Sequence, residues 1–280
     1  MGIKTVVQDV YTTLKTKHSE VPSEPLSAFA DNCKEIIEEA LCKTKPHDTQ
    51  TLRMSNIGRP ARQMWYDFNS GEAPNEGHSG ATLLKFLYGS IIEELVLCLV
   101  KLSGHKVADT QRTATIDGIK GHMDCTIDEV PVDVKSASSF QFKKFKTGKI
   151  YQDDPFGYIH QLSAYANYLN AEEAGFLVFD KSTGEIHLMM MDDLDILDSE
   201  ERIKYMKEAV NLDKPPVTKC YEPVPDGKQG NMKLGTQCGY CPHKFKCWEG
   251  LREFTYSNGP TYLTKVVKAP RVTEVKSKSD

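Results

Sequence analysis

Two aspartates and a lysine raise the first chemical question. In GHMDCTIDEVPVDVKSASSF, which begins at Gly121, Asp124 and Asp133 lie on either side of Asp128-Glu129, where a tight hairpin connection is expected. Such a connection pairs Ile127 with Val130. It also sets Asp124 opposite Asp133, on the face that carries Lys135, while Met123, Cys125 and Ile127 join Val130, Val132 and Val134 on the other. Like charges opposed across a sheet destabilise it, and two carboxylates sharing a site do not both stay ionised cheaply. A hard divalent cation relieves the repulsion, because Mg²⁺ takes one or two carboxylates, keeps several waters and accepts phosphate oxygens. Lys135 beside it can orient or deprotonate a water and offset charge in a phosphoryl transition state. The same residues also fit a surface hairpin with a solvated Asp–Lys pair.

Other residues extend the pattern. In GSIIEELVLCLV, Glu93 and Glu94 interrupt a helix that is apolar nearly all round, so at least one carboxylate is drawn inward and needs a partner, unless both lie on a narrow polar stripe. Gln161 and Tyr165 in YIHQLSAYANYL are four residues apart and share a helix face. Between Lys135 and Lys149 the chain carries Lys143, Lys144 and Lys146 with no acid, interleaved with Phe140, Phe142 and Phe145. Such a loop can follow phosphates and stack on exposed bases, or serve as a solvated charge run. Arg59 and Arg62 are further candidates for phosphate contacts. Cys98 and Cys125 sit at core spacing and read as packing residues, whereas Cys220, Cys238, Cys241 and Cys247 crowd a late segment rich in Pro and Gly. Four thiolates suit an Fe–S cluster or Zn²⁺, and His243 can substitute in a zinc site.

The elements that must position these groups follow from periodicity. Helical spacing covers residues 27–43 and a longer run from Ser79 to Gly104. HKVADT, RTATID, IKGHMDCTID and VPVDVKSAS suit strands, followed by a helix near 156–169, strands AGFLVFDK and EIHLMMMD, and a helix over 194–210. This order predicts an α/β fold with a mixed sheet flanked by helices. Four regions are expected: an N-terminal helical region over 1–50, a core over 51–215, a cysteine segment over 216–255 and a mobile basic tail over 256–280. The chain has 280 residues and a net charge of −4, which excludes a uniformly basic nucleic-acid binder but not local patches. Its longest apolar stretch is too short to span a bilayer, and the N-terminus lacks a secretory h-region, so a cytoplasmic protein is expected.

Taken in order, Gly89-x-x-x-Glu93, Gly121-x-x-Asp124, Asp133-x-Lys135 and Gln161-x-x-x-Tyr165 resemble the motif series of the RecB-type branch of the PD-(D/E)XK nucleases, over roughly Ser55 to Cys247. The resemblance implies a restriction-endonuclease-like core. It implies Mg²⁺ or Mn²⁺ on Glu93, Asp124, Asp133 and the Val134 carbonyl, a catalytic Lys135, and support of the site and DNA by Gln161 and Tyr165. The trio Cys238-x-x-Cys241 and Cys247 resembles the terminal cysteines that hold a 4Fe–4S cluster in AddB-type helicase-nucleases and CRISPR adaptation exonucleases. Those relatives take a fourth cysteine from upstream, where SNIGRPARQMWY has none, so Cys220 is the first choice here, with Cys33 or Cys42 behind it. SNIGRPARQMWY and CYEPVPDGKQGNMKLG also resemble parts of tailed-phage exonucleases. The implied activity is metal-dependent DNA exonuclease cleavage in phage DNA degradation, recombination or repair, within a bacterial host cytoplasm and alongside phage replication or recombination proteins. A structure- or sequence-specific endonuclease and a non-catalytic DNA-binding or assembly protein are the alternatives. A homo-oligomer is left open.

Overall fold

The computed structural model describes residues 2–42, 50–71 and 79–275. The chain divides into two compact units, Met1–Gly58 with Glu76–Lys207, and Arg59–Asn75 with Glu208–Asp280. The division cuts across the expected 51–215 core, since residues 59–75 group with the C-terminal part.

In the first unit the helices are α1 (Val6–Lys15) and α2 (Ser23–Cys42); α3 (Ala61–Asn69) belongs to the second unit, and α4 (Gly80–Leu102) returns to the first. Ser79 caps α4, its Oγ accepting from Thr82 N at 3.2 Å, and the chain leaves the helix at Gly104, whose φ of 92° suits glycine. The strands are β1 (Val107–Ala108), β2 (Arg112–Ile116), β3 (Ile119–Met123), β4 (Cys125–Ile127) and β5 (Val130–Ala137). Next come α5 (Ser139–Lys146), α6 (Tyr158–Leu169), β6 (Ala174–Asp180), β7 (Ile186–Met191) and α7 (Ser199–Val210). The main sheet has the order β1-β4-β5-β6-β7, antiparallel except for the parallel pair β5 and β6. This is the expected mixed sheet, with α5 and α6 in the crossover between the parallel strands.

Both faces of the sheet are covered. Val132 and Val134 of β5 pack with Cys125, Ile127, Val6 and Val10 of α1, and Val96, Leu97 and Val100 of α4. Each such fully buried aliphatic side chain contributes about 1.5–3 kcal/mol. On the other face Phe142 and Phe145 of α5 and Leu162 and Ala166 of α6 pack against Phe176 and Val178. Cys98 and Cys125 are buried, as their spacing indicates.

Several expectations need correction. The stretch IKGHMDCTID is not one strand: β3 pairs only with β2, and the chain breaks at Asp124 before β4 joins the main sheet. Met123 therefore packs with Met54, Ile57 and Tyr165, while Cys125 enters the α1–α4 core. The Lys-rich stretch is not a loop but α5, begun by Ser138 as N-cap. The helix expected from 194 starts at Ser199, after a turn that leaves Leu194 exposed.

The second unit contains a five-stranded antiparallel sheet of order β12-β10-β11-β9-β8, built from β8 (Val224–Asp226), β9 (Asn231–Lys233), β10 (Arg252–Tyr256), β11 (Gly259–Lys265) and β12 (Thr273–Val275). Two single-turn helices, α8 (Thr236–Gly239) and α9 (Lys244–Cys247), carry Cys238 and Cys247, with Cys241 between them and Cys220 ahead of β8. Much of the expected mobile tail is thus strand: β11 pairs with β10 and β9, β12 pairs with β10, and the Arg252 side chain forks onto Glu274 at 2.6 and 2.7 Å. Residues 276–280 lie outside the described residues. Among the described residues no helix is long and apolar enough to cross a membrane.

Candidate active site

The geometry of the site begins with a turn. Asp128 and Glu129 both have positive φ, 50° and 75°, as a two-residue type I′ connection requires. Glu129 is not a preferred residue there, so the turn needs holding. Asp128 Oδ1 accepts from Lys106 N at 3.0 Å, and Oδ2 accepts from the buried His105 Nδ1 at 2.6 Å, whose Nε2 reaches Asp9 of α1 at 3.1 Å. The turn fixes Ile127 opposite Val130 and Cys125 opposite Val132. The next residue back, Asp124, leaves the ladder and turns its carboxylate onto β5, where Oδ2 accepts from Val134 N at 2.9 Å.

Asp124 and Asp133 consequently point to a common place, which Lys135 occupies. Lys135 Nζ lies 2.7 Å from Asp133 Oδ2, 3.8 Å from Asp124 Oδ2 and 3.5 Å from the Val134 carbonyl. Glu93 enters from α4. Gly89, one turn earlier, lies so close to β5 that a Cβ there would meet Ser136 Oγ at 3.0 Å, and this approach lets Glu93 Oε1 accept from Ser136 N at 3.2 Å and Oγ at 3.3 Å. Glu94 turns elsewhere and accepts from Asn32 Nδ2 of α2 at 2.8 Å.

Burial makes these charges costly. Asp133 is 1% exposed, and neither oxygen accepts a hydrogen bond of acceptable geometry, although Lys135 Nζ forms an ion pair with Oδ2. Desolvation pushes its pKa up to about 7; Lys135 opposes the shift, and Asp124 and Glu93 add to it. Glu93 is raised by desolvation too, against the pull of Lys135. For Lys135, burial disfavours the charge, but Asp133, Asp124 and Glu93 outweigh burial and raise its pKa. With the ammonium in the centre, no three Asp, Glu, His or Cys side chains among the described residues converge closely enough to grip an ion. The donor set nevertheless fits a hard divalent cation: oxygen ligands only, one of them a buried carboxylate whose one close partner is the Lys135 ammonium.

Gln161 and Tyr165 support this arrangement from α6. Tyr165 is fully buried and its hydroxyl donates to the His122 carbonyl at 2.7 Å while accepting from Gln161 Nε2 at 3.3 Å, which ties down the strand beside Asp124. Burial raises the Tyr165 hydroxyl to about 12. Gly121 is needed for the same contact, since a Cβ there would meet Met54 Cβ at 2.7 Å and the Tyr165 hydroxyl at 3.0 Å. A cleft of about 740 Å³ opens onto Glu93, Asp124 and Val134, with Asn32 and Glu35 of α2, Lys101 of α4 and His122 among its walls.

The expected phosphate-contacting lysines divide. Lys144 is buried against Asp153 at 2.6 Å, and Lys146 pairs with Glu185; Phe142 and Phe145 belong to the core and offer no stacking face. The helical periodicity of SFQFKKFK carried that signal. Lys143, Lys149 and Phe140 are exposed. In the second unit Arg62 is committed to the cysteine segment: Nε donates to Cys247 Sγ at 3.2 Å, Nη1 to the Pro216 carbonyl and Nη2 to Tyr66 at 3.3 Å. Its guanidinium is thus engaged within the second unit by one thiol, one carbonyl and one phenol. Arg59 is half-buried.

Cys220, Cys238, Cys241 and Cys247 all belong to the second unit. Burial raises Cys238 and Cys241 to about 11, and the other thiols add to the shift, so the four lie within electrostatic reach of one another. Lys219 Nζ approaches the Cys247 carbonyl and stands 3.9 Å from its Sγ. His243 spends Nε2 on Asp67 at 2.6 Å and stacks on Tyr66, which turns that nitrogen away from a zinc role. Four thiols with two cations at hand suit a thiolate-bound metal in chemistry, although the described side chains do not close on one point. Cys33 and Cys42 lie on α2 of the first unit, half-buried and exposed.

No protein-family model matches the sequence, and no curated protein does. Solved structures give remote likenesses. A protein solved as SSO0001 is 16% identical, with a TM-score of 0.42 over 79% of this chain and 96% of that one. An alkaline exonuclease from Laribacter hongkongensis is 14% identical, with a TM-score of 0.41 over 58% and 89%. A phage-related exonuclease from Haemophilus somnus 129PT is 16% identical, with a TM-score of 0.34 over 57% and 90%. Such distances leave the chemistry of this chain to be read from its own residues.

Proposed function

We propose that the chain is a Mg²⁺- or Mn²⁺-dependent deoxyribonuclease of the PD-(D/E)XK kind, acting as an exonuclease. The observation that carries the reading is Asp133, a fully buried carboxyl whose one close partner is the Lys135 ammonium, facing two further acids across that lysine. Such an arrangement costs stability and suits a captured cation. Glu93, Asp124, Asp133 and the Val134 carbonyl would hold the ion. When bound, it supplies Lewis acidity toward a phosphoryl oxygen and a water acidic enough to attack at neutral pH.

The residues of the chain supply the rest. The surrounding acids hold Lys135 charged, so it serves as a donor that orients water and offsets phosphate charge, and not as a base. Tyr165, held by Gln161, ties down the His122 carbonyl of β3 next to Asp124. In the second unit, Cys220, Cys238, Cys241 and Cys247 would hold a 4Fe–4S cluster or Zn²⁺, with Arg62 and Lys219 beside Cys247 offsetting thiolate charge.

Asp124→Ala and Lys135→Ala are expected to abolish Mn²⁺-stimulated cleavage of end-labelled linear DNA while retaining the fold. Closed circular DNA should resist the wild type. Undiminished turnover in both variants overturns the site, and cutting of the circle replaces the exonuclease with an endonuclease. Visible absorbance with iron analysis, lost in Cys220→Ser, supports the cluster; a colourless protein containing zinc selects the alternative.

A further inference from the structure

The turn at 154–157 carries a feature that the proposed chemistry does not use. Asp154 accepts from Gly157 N and Ile159 N at 2.9 Å each, closing the turn onto the start of α6. Gly157 has a φ of 77°, and its backbone touches Gly58 so closely that a Cβ at residue 58 would meet Gly157 Cα and O at 2.5 Å. The turn is pinned from both sides. It presents Phe156, a residue 49% exposed.

That ring heads a column of aromatics. Phe156 stacks on Tyr158 at 5.3 Å and 26°, and Tyr158 stacks on the core residue Phe145 at 6.1 Å and 29°. Lys135 Nζ stands 5.5 Å from the centroid of the Tyr158 ring. The two steps put Phe156 within about 11 Å of the ammonium, the length of roughly three stacked nucleotides. An exposed phenylalanine alone is ordinary. A pinned one stacked on the ring that flanks the charged centre is a platform for one more ring.

We propose that Phe156 stacks on an unpaired base of the strand whose backbone enters the Asp133–Lys135 site. Any base has a π-face, so the contact is indifferent to sequence and favours single-stranded or frayed DNA over blunt duplex. The inference deepens the nuclease reading and rests on it. It also moves the stacking role away from Phe142 and Phe145, which are buried.

The test uses the full chain in EDTA, to prevent cleavage, with single-stranded oligonucleotides carrying 2-aminopurine near one end. Wild type and Phe156→Tyr should quench the probe on binding. Phe156→Ala and Phe156→Leu should not, and their Kd should rise roughly tenfold. A strand with abasic sites over its last three positions should bind all four proteins alike. Quenching that survives in Phe156→Ala, or an equal loss of affinity on the abasic strand, overturns the assignment. Wild type that cuts DNA with Mn²⁺ while Phe156→Ala changes nothing sinks the stack alone. Wild type that neither binds nor cuts sinks the nuclease reading and the stack with it.

Discussion

Replacing Asp133 with asparagine should stabilise the metal-free protein while removing its capacity to work. The Asp133 carboxyl is 1% exposed with only the Lys135 ammonium close to it, and desolvation lifts its pKa from 3.8 to about 7 against the pull of that charge. The folded-state value is the higher one, so the penalty is absent well below the unfolded value. It grows as the unfolded chain ionises and is complete once the pH passes the folded value. Over that window it amounts to about 2 kcal/mol at pH 5 and about 4 kcal/mol at pH 8. Asparagine has no proton to lose and nearly the same shape. Lys135 keeps Asp124 at 3.8 Å and the nearby Glu93, so its charge is not left bare. Urea unfolding in EDTA should therefore show Asp133→Asn more stable than wild type, by a gap that widens between pH 5 and pH 8. Excess Mn²⁺ at pH 8 should narrow or reverse the gap, because an ion that binds only the folded wild type stabilises it by mass action. A gap that does not grow with pH, or a variant less stable than wild type at pH 8, refutes the reasoning.

Tyr165→Phe removes the hydroxyl that donates to the His122 carbonyl. A loss of about 1 kcal/mol in unfolding free energy is expected, with cleavage reduced in kcat and the Kd for DNA unchanged; a change confined to Kd contradicts the positioning role. His160, with Nδ1 buried and making no hydrogen bond, is pushed down to about 4 by burial and then by Arg202. A depressed imidazole contributes stability that is present above its unfolded value of 6.5 and lost as the pH falls toward 4. His160→Leu should flatten the fall of Tm over that interval, and an unchanged slope would place the acid sensitivity elsewhere.

The hairpin is legible in the sequence because parity leaves little choice. A two-residue turn at Asp128-Glu129 pairs Ile127 with Val130, and any slip by one residue would bury the wrong face. The glycine spacing selects Glu93 for a reason the structure supplies: Gly89 brings α4 against Ser136, and the next turn delivers Glu93 to the same residue. The break at Asp124 is not legible. Alternation continues unbroken through His122, Asp124 and Thr126, and only the pairing of β3 with β2 instead of β5 reveals it. Side-chain commitments across the chain escape local reading too. Lys144 and Arg62 look like free cations in sequence, yet Asp153 and Cys247 claim them. Phe156 sits among turn residues with no periodic signal, and the close approach of Gly58 to Gly157 beside it is equally invisible in the local sequence.

The most direct test is calorimetric titration of Mn²⁺ into metal-free protein at pH 8. The account expects one ion per chain at the acid cluster, with affinity weakened at least tenfold in Asp124→Asn and in Asp133→Asn. Unchanged affinity in both variants, or no binding to the wild type, would show that the opposed carboxylates serve some end other than holding a cation.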